Sequence, residues 1–393
     1  MRIDFARSPR SSIGIEWELQ VVDPLTGRFA PIGPDVLSEL ERTGARGVER
    51  VHKEMHRGMI ELVSARQDRV ADAVADLAES LALVAPAFAA HGAALTGSGA
   101  HPFEDPGAHE VTCTPRYFEL VERTRWWGRQ MLIFGTHVHV GVEDVARAVP
   151  VLAHMATYIG HLQAVAASSP LWVGQDTGYA DNRAMMFQQL PHAGLPETLS
   201  TWSDFEDCAR DLIDAGEIRE VNELRWDVRP APAFGTVEVR ACDASSNLAE
   251  VGAVAALVHC LVEEASRLLD AGRGLRSLPR WLLAANKWRS ARYGLEAALV
   301  EEVGADPVPL RESLPALLER LAPVAEDLGC EAELAQAGRV LVVGNGAERQ
   351  LAVARSAETR GESAGLTVMR HLLAETAVGA PLALDGPEGP VSA

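Results

Sequence analysis

The chain has 393 residues, 47% of them hydrophobic and 23% charged, with a formal net charge of −19. That is enough for one large domain or two ordinary ones with a sizeable core. So acidic a protein is a poor partner for nucleic acid or an anionic membrane, and a polyanion such as ATP needs local arginines or metal ions to bind it. In chain order, a strand is expected at 12–22, ending in the turn residues Asp23-Pro24 and Thr26-Gly27. A short helix at 34–43 and two strands at 48–55 and 58–65, broken near Arg57-Gly58, come next. Residues 69–93 carry a long Ala/Leu helix with apolar 3.6-residue periodicity, and "ALTGSGAHP" reads as a strand end plus loop. A helix at 115–127 precedes the alternating strand "MLIFGTHVHVGVED", and a further helix spans 145–167. The turn-rich stretch 168–202 is long for a compact domain, as functional loops are. A helix at 203–215 and strands near 222–228 and at 235–242 lead into helices at 247–271, 278–287, 295–301, 310–328, 330–342, 346–359 and 362–377.

Strands early and helices late, with no internal repeat and no clean linker, predict an α+β design with a mainly antiparallel sheet. Residues 1–378 read as one domain, and the Pro/Gly-rich 379–393 as a flexible tail. Five cysteines (Cys113, Cys208, Cys242, Cys260, Cys330) are dispersed without CxxC spacing, which fits reduced thiols in a cytoplasmic protein. The N-terminus has no apolar signal region, and the most apolar helices carry His154, His161 and His259, so they read as buried rather than membrane-spanning.

Side chains at i and i+2 on a strand share a face. Three expected strands place polar pairs in apolar surroundings: Glu16/Glu18, His137/His139 and Glu238/Arg240. Glu54 and Glu61 add two more carboxylates on the pair at 48–65. Crowded, buried carboxylates are costly without cations, and Mg²⁺ is the natural compensation because it takes oxygen ligands and bridges carboxylates to phosphates. The plainer readings are a solvated edge strand for Glu16/Glu18, an ion pair for Glu238/Arg240, and core or surface histidines for His137/His139. There is no GxxxxGK[ST] loop and no GxSxG elbow. "GSGAHP" and "GNGAER" are incomplete Gly-rich matches, and "HKEMH" has its glutamate one place late for a metalloprotease helix.

"IGIEWELQVVDPLTG", "GMIELVS", "GTHVHVGV", "SSPLWVGQDTGYADNRA", "FGTVEVRACD", "NKWRSARYGL" and "GNGAERQ" together resemble the bacterial carboxylate–amine ligases of the glutamate–cysteine ligase type 2 family. The motifs run in family order from residue 13 to about 350. The resemblance implies a glutamine synthetase-like catalytic fold, with a curved antiparallel sheet, helices on its convex side, and Mg²⁺ and ATP on its concave side. It implies ATP-dependent formation of a γ-glutamyl amide, with weak glutamate–cysteine ligase activity as the usual assignment, on small-molecule substrates and in a possible homodimer. By motif, Glu16, Glu18, Glu54, Glu61 and Glu238 resemble metal ligands. Either His137 or His139 resembles a histidine on the metal or phosphate side, and Arg240 the arginine that steadies the transferring phosphoryl group. Arg183, Arg289, Arg292 and Arg349 are candidates for phosphate or substrate-carboxylate binding, and helix-surface or salt-bridge roles stand beside that reading. Trp17 stands where the family commonly has a further glutamate, but alternation turns that position away from the metal face. Rival readings are a metal-dependent hydrolase built on His137/His139, a scaffold that binds nucleotide without turnover, and a ligase for another amine. The loop 168–202 is the expected place for acceptor and glutamate specificity.

Overall fold

The computed structural model describes residues 2–112 and 114–382. The expected tail therefore lies, from residue 383 onward, outside the described residues, as does Cys113. Seven strands form one open antiparallel sheet: β1 (Ile13–Val22), β2 (Val51–Lys53), β3 (Met59–Val63), β4 (Ala94–Thr96), β5 (Gly135–Gly141), β6 (Val228–Ala231) and β7 (Thr236–Asp243). Their order is β6-β7-β5-β1-β3-β2, with β4 pairing the end of β1 beyond β5. The alternation read from the sequence sets the two faces. Ile13, Ile15, Trp17 and Leu19 of β1, Ile60 and Leu62 of β3, Val138 and Val140 of β5, and Val237 and Val239 of β7 all turn into the main core. Trp17 is fully buried there and donates its indole N–H to the Ser245 carbonyl at 2.9 Å.

The helices back this apolar face. Leu248–Asp270 is buried along most of its length and is capped by Asn247, whose side chain accepts from the Glu250 N–H. Val70–Ala90 lies against it and against the back of β1. That helix is long and apolar enough to cross a membrane, yet Val70, Leu77, Val84 and Phe88 are buried in the protein core. Leu310–Leu328, Glu331–Val343, Gly346–Thr359 and Ala364–Val378 complete the helical half. Cys260 and Cys330 sit there with their sulfurs 3.6 Å apart and unbridged.

Five elements differ from the sequence expectation for local reasons. The strand expected near 222–228 opens as a 3-10 turn, Val221–Glu223, and joins the main sheet only from Val228. The strand expected at 48–55 begins as a 3-10 turn, Val48–Arg50, and pairing stops at Lys53, leaving the connection to β3 free to carry Glu54 and Met55. The helix expected over 115–127 ends at Thr124, because Arg125 takes a positive φ of 53°. The helix expected over 145–167 breaks into Val145–Ala156 and Ile159–Ala166, and the Thr157 hydroxyl donates to the His154 carbonyl at the junction. Residues 295–301 are not a helix. A turn at Gly294–Glu296 leads to a short strand, Ala298–Leu299, and the Asn286 amide clamps the extended Val300 backbone with two bonds of 2.8 Å.

Candidate active site

The polar face of the sheet carries a stripe that crosses five strands. Cross-strand partners are Glu61 and Glu18 (β3–β1), Glu16 and His137 (β1–β5), His139 and Glu238 (β5–β7), and Glu238 and Arg229 (β7–β6). Like charges directly opposite each other, as Glu18 and Glu61 are, destabilise a sheet. Their presence at the centre of this one points to a ligand rather than to stability.

Glu16 sits at the middle of the stripe. Its two oxygens meet His137 Nδ1 at 2.9 Å and His139 Nε2 at 3.3 Å. Burial alone would raise its pKa, but these two histidines hold it well below the ordinary carboxylate range. His139 is further fixed by Thr236 Oγ1 at 2.9 Å on Nδ1. Burial and the nearby Arg240 charge push His137 down to about 4, so its imidazole is neutral at pH 7 and available as a ligand. Glu238 is buried between Arg229, at 2.6 Å, and Arg240, which donates to its other oxygen. Burial opposes ionisation of Glu238, yet Arg240, His139 and Arg229 keep it charged.

One extra residue in β7 puts Arg240 within reach. The β5–β7 register shifts between Val239 and Cys242, a bulge that re-aims the strand locally. The Arg240 N–H donates to the Asp227 carbonyl at 2.7 Å, continuing the β6–β7 register one position past Val228 and Val239.

Arg183 arrives from the expected loop, which is ordered by short elements and buried polar pins. The Asp243 carboxylate accepts from the Ser168 N–H and the Ser169 hydroxyl. Asp181 caps the six-residue helix Asn182–Phe187. The Arg183 guanidinium then donates to the Arg240 carbonyl at 3.1 Å and lies 3.4 Å from His137 Nε2. Gly135 makes room for it: a Cβ there would stand 2.3 Å from Arg183 Nη2 and 2.8 Å from His137 Nε2. The Gly135 N–H donates to Glu18.

The charge balance differs between the two halves of the stripe. Around Glu238, two guanidiniums face the carboxylates of Glu16 and Glu238. Around Glu61, positive charge falls short. Burial and the Glu54 charge push Glu18 up to about 8. Burial and the charges of Glu16, Glu54 and Glu18 push Glu61 well above the carboxylate range. Two groups here offer ligand atoms within 4.8 Å of one another: Glu18, Glu61 and His137, and Glu16, His137 and Glu238. Oxygen-rich sets with one imidazole suit a hard divalent cation, and the first set, short of positive charge, has the greater need of one.

Two cavities flank the stripe. One, of about 240 Å³, is lined by Glu16, Glu18, Glu54, Glu61, His137, Arg225, Arg229 and Arg240, with an apolar wall opposite. The other, of about 440 Å³, has Arg7, Arg66, Ser8, Ser12, Ile15, Val63, His139 and Phe234 around it. Glu16 lines both. Phe234, exposed in the β6–β7 turn, sets its ring edge-on to His139 with centroids 5.5 Å apart.

The structure thus brings together Glu16, Glu18, Glu61, Glu238, His137, His139, Arg183 and Arg240. Glu54 faces the same cavity outside both ligand sets, and the Tyr117 hydroxyl donates to it at 3.2 Å. Arg289, Arg292 and Arg349 line neither cavity. Arg289 donates to the Ala298 carbonyl. Arg292 donates to the Gly178 carbonyl and packs over Tyr179 and Tyr293. Arg349 is fully buried among the helices, bound to Glu250 and Glu375. Arg225, Arg229 and Tyr117 escape the sequence reading. Of these, Arg229 alone had a signal, since folding "RPAPAFGTVEVR" about Phe234-Gly235 sets it opposite Glu238.

Residues 12–369 match the family described as Glutamate-cysteine ligase family 2 (GCS2). A Mycobacterium ulcerans protein named "Putative glutamate–cysteine ligase 2" is 46% identical over 353 residues, 90% of this chain and 89% of its own length. A Leifsonia xyli protein of the same name is 45% identical over 356 residues, 90% of this chain and 94% of its own length. In fold, the chain is similar to a glutamate–cysteine ligase from Francisella tularensis solved in complex with AMP. The TM-score is 0.67 at 14% identity, over 94% of this chain and 90% of that one. A bifunctional glutathione synthetase from Pasteurella multocida matches with a TM-score of 0.63 at 13% identity, over 94% of this chain and 52% of that one. With a family match over most of its length and relatives at this level of identity, the chain belongs to glutamate–cysteine ligase family 2.

Proposed function

We propose that residues 1–378 act as one catalytic unit, an ATP-dependent carboxylate–amine ligase of the cytoplasm that joins the γ-carboxylate of glutamate to an amine. One observation carries the reading: Glu16, the centre of the carboxylate–histidine stripe, is shared by two cavities. A reaction that passes a phosphoryl group from a nucleotide to a second substrate needs such a boundary. The AMP held by the Francisella tularensis enzyme supports nucleotide use by this fold.

In this reading ATP enters the cavity of Phe234, Arg7 and Arg66, with its base against Phe234 and its phosphates toward Glu16. The glutamate substrate enters the cavity of Arg225, Arg229 and Arg240. Glu18, Glu61 and His137, and beside them Glu16 and Glu238, would hold Mg²⁺, which supplies charge compensation for the phosphates. A carboxylate is a poor electrophile and oxide a poor leaving group, so direct attack by an amine fails near pH 7. An oxygen of the γ-carboxylate attacks the γ-phosphorus of ATP, the bond to ADP breaks, and an acyl phosphate forms. The amine nitrogen then attacks the acyl carbon, the bond to the phosphoryl oxygen breaks, and the departing phosphate carries away the nitrogen's second proton. Arg240 neutralises charge on the phosphoryl oxygens, with Arg183 bracing it through its carbonyl. Glu54 faces the incoming ammonium and takes its proton before attack.

The test incubates protein, ATP, Mg²⁺ and glutamate with amines and reads ADP release and product mass together. Glutamate-dependent ADP release with a product heavier by the amine is expected. In Arg240→Ala, turnover falls by roughly 10²-fold or more, the scale of losing one electrostatic stabiliser. Zinc-dependent turnover without ATP would overturn the reading in favour of a hydrolase. Phe234→Ala raises the KM for ATP several-fold at nearly unchanged kcat, because an exposed turn residue contributes to binding and little to folding. An unchanged KM for ATP removes the base from that cavity.

A further inference from the structure

The cavity of the carboxylate stripe has a second wall that phosphoryl transfer does not explain. Met55, Met59, Leu120, Met131, Ile133 and Phe187 face it. All of these except Met59 belong to a small hydrophobic cluster separate from the main core. It is assembled from the β2–β3 connection, the helix Pro115–Thr124, the approach to β5 and the helix Asn182–Phe187. Four separate stretches of chain therefore converge to make an apolar surface beside a charged one. The charged groups of the cavity are the carboxylates of Glu16, Glu18, Glu54 and Glu61 and the guanidiniums of Arg225, Arg229 and Arg240. Glutamate's own carboxylates claim those cations. The remaining wall presents the Tyr117 hydroxyl, bonded to Glu54, and otherwise carbon and thioether sulfur.

We propose that this wall seats the body of the acceptor, and that the acceptor is a primary amine with an apolar alkyl or aryl body and no carboxylate of its own. The inference rests on the ligase reading above and deepens it. Its ammonium is drawn to Glu54, which faces the cavity outside both ligand sets, whereas the α-carboxylate of an amino acid such as cysteine meets no cation along this wall. Its apolar body is desolvated against the wall, and each methylene of fit changes selectivity severalfold. Three methionines on one wall adapt to bodies of different shape, so a range of chain lengths is accepted.

The experiment measures kcat/KM for the wild-type protein with ATP, Mg²⁺ and glutamate against n-pentylamine, phenethylamine, methylamine and cysteine. Hydroxylamine, which traps any acyl phosphate as the hydroxamate, is run in parallel. The expected result is that pentylamine or phenethylamine exceeds both methylamine and cysteine by at least about tenfold. In Met131→Gln and in Ile133→Gln, the ratio of pentylamine to methylamine falls toward one. A kcat/KM for cysteine equal to or above that of the apolar amines overturns this inference, and hydroxamate formed alongside leaves the ligase reading standing. If neither hydroxamate nor ADP appears with any amine, the ligase reading falls and the inference with it.

Discussion

Replacing Glu16 by glutamine lowers glutamate-dependent ADP release by roughly 10³-fold, about 4 kcal/mol of transition-state stabilisation. No other carboxylate of the stripe lines both cavities. Its charge orients two imidazoles at once, His137 at 2.9 Å and His139 at 3.3 Å. An amide of the same shape retains one accepting oxygen and loses the charge. One of the two rings then loses its acceptor, and the candidate set of Glu16, His137 and Glu238 loses an anionic member. The fold survives, because Glu16 lies on the polar face while Ile15 and Trp17 hold β1 in the core. An ADP-release assay alongside circular dichroism and a thermal melt checks this. A folded variant retaining more than a tenth of wild-type turnover removes Glu16 from the chemistry.

Arg349→Met costs about 3–5 kcal/mol of stability, on the order of 10 °C in melting temperature, and leaves turnover per folded molecule near wild type. Arg349 is fully buried and ties Glu250, at 2.7 Å, to Glu375, also at 2.7 Å. Without it, two carboxylates among the helices lose their counter-charge. Burial would raise Glu375, but hydrogen bonds from His371 and Arg349 bring it down to about 2. Folded Glu375 thus binds its proton less tightly than the unfolded side chain. Its contribution is complete above about pH 4.5 and drains away as the pH falls toward 2. Wild type therefore loses more stability than Arg349→Met between those limits. Parallel urea titrations at pH 5 and pH 3 read the difference. A variant as stable as wild type but unable to bind ATP would restore Arg349 to the nucleotide site.

Much of the site was legible because strand alternation is a strict rule. Glu16/Glu18, His137/His139 and Glu238/Arg240 fall on the polar face, and Trp17 falls on the other. Order along the chain could not reveal which strands are neighbours, and the stripe exists only through the register of β3, β1, β5, β7 and β6. Arg349 shows the limit of motif reading. Its segment lies within the family match, and the structure places its side chain in a buried ion pair away from both cavities. Residues 295–301 have helical composition, and the clamp from Asn286, distant in sequence, overrides it. The apolar wall was invisible for a similar reason: Met55, Met131, Ile133 and Phe187 lie on separate stretches of chain that meet only in the fold.

The strand order also has a consequence for biosynthesis. β1 is made first, yet β5 must reach one of its edges and β7 must then pair with β5. A nascent chain emerging from the ribosome thus exposes Glu16, Glu18 and Glu61 long before Arg229 and Arg240 have been translated. The paired strands β1 and β3 gather mutual repulsion while Arg229 and Arg240 are still unmade. Long-range pairing of this kind closes slowly. The acidic stripe is therefore the last part of the sheet to gain its electrostatic balance, and assembly of the site waits on the arrival of β7.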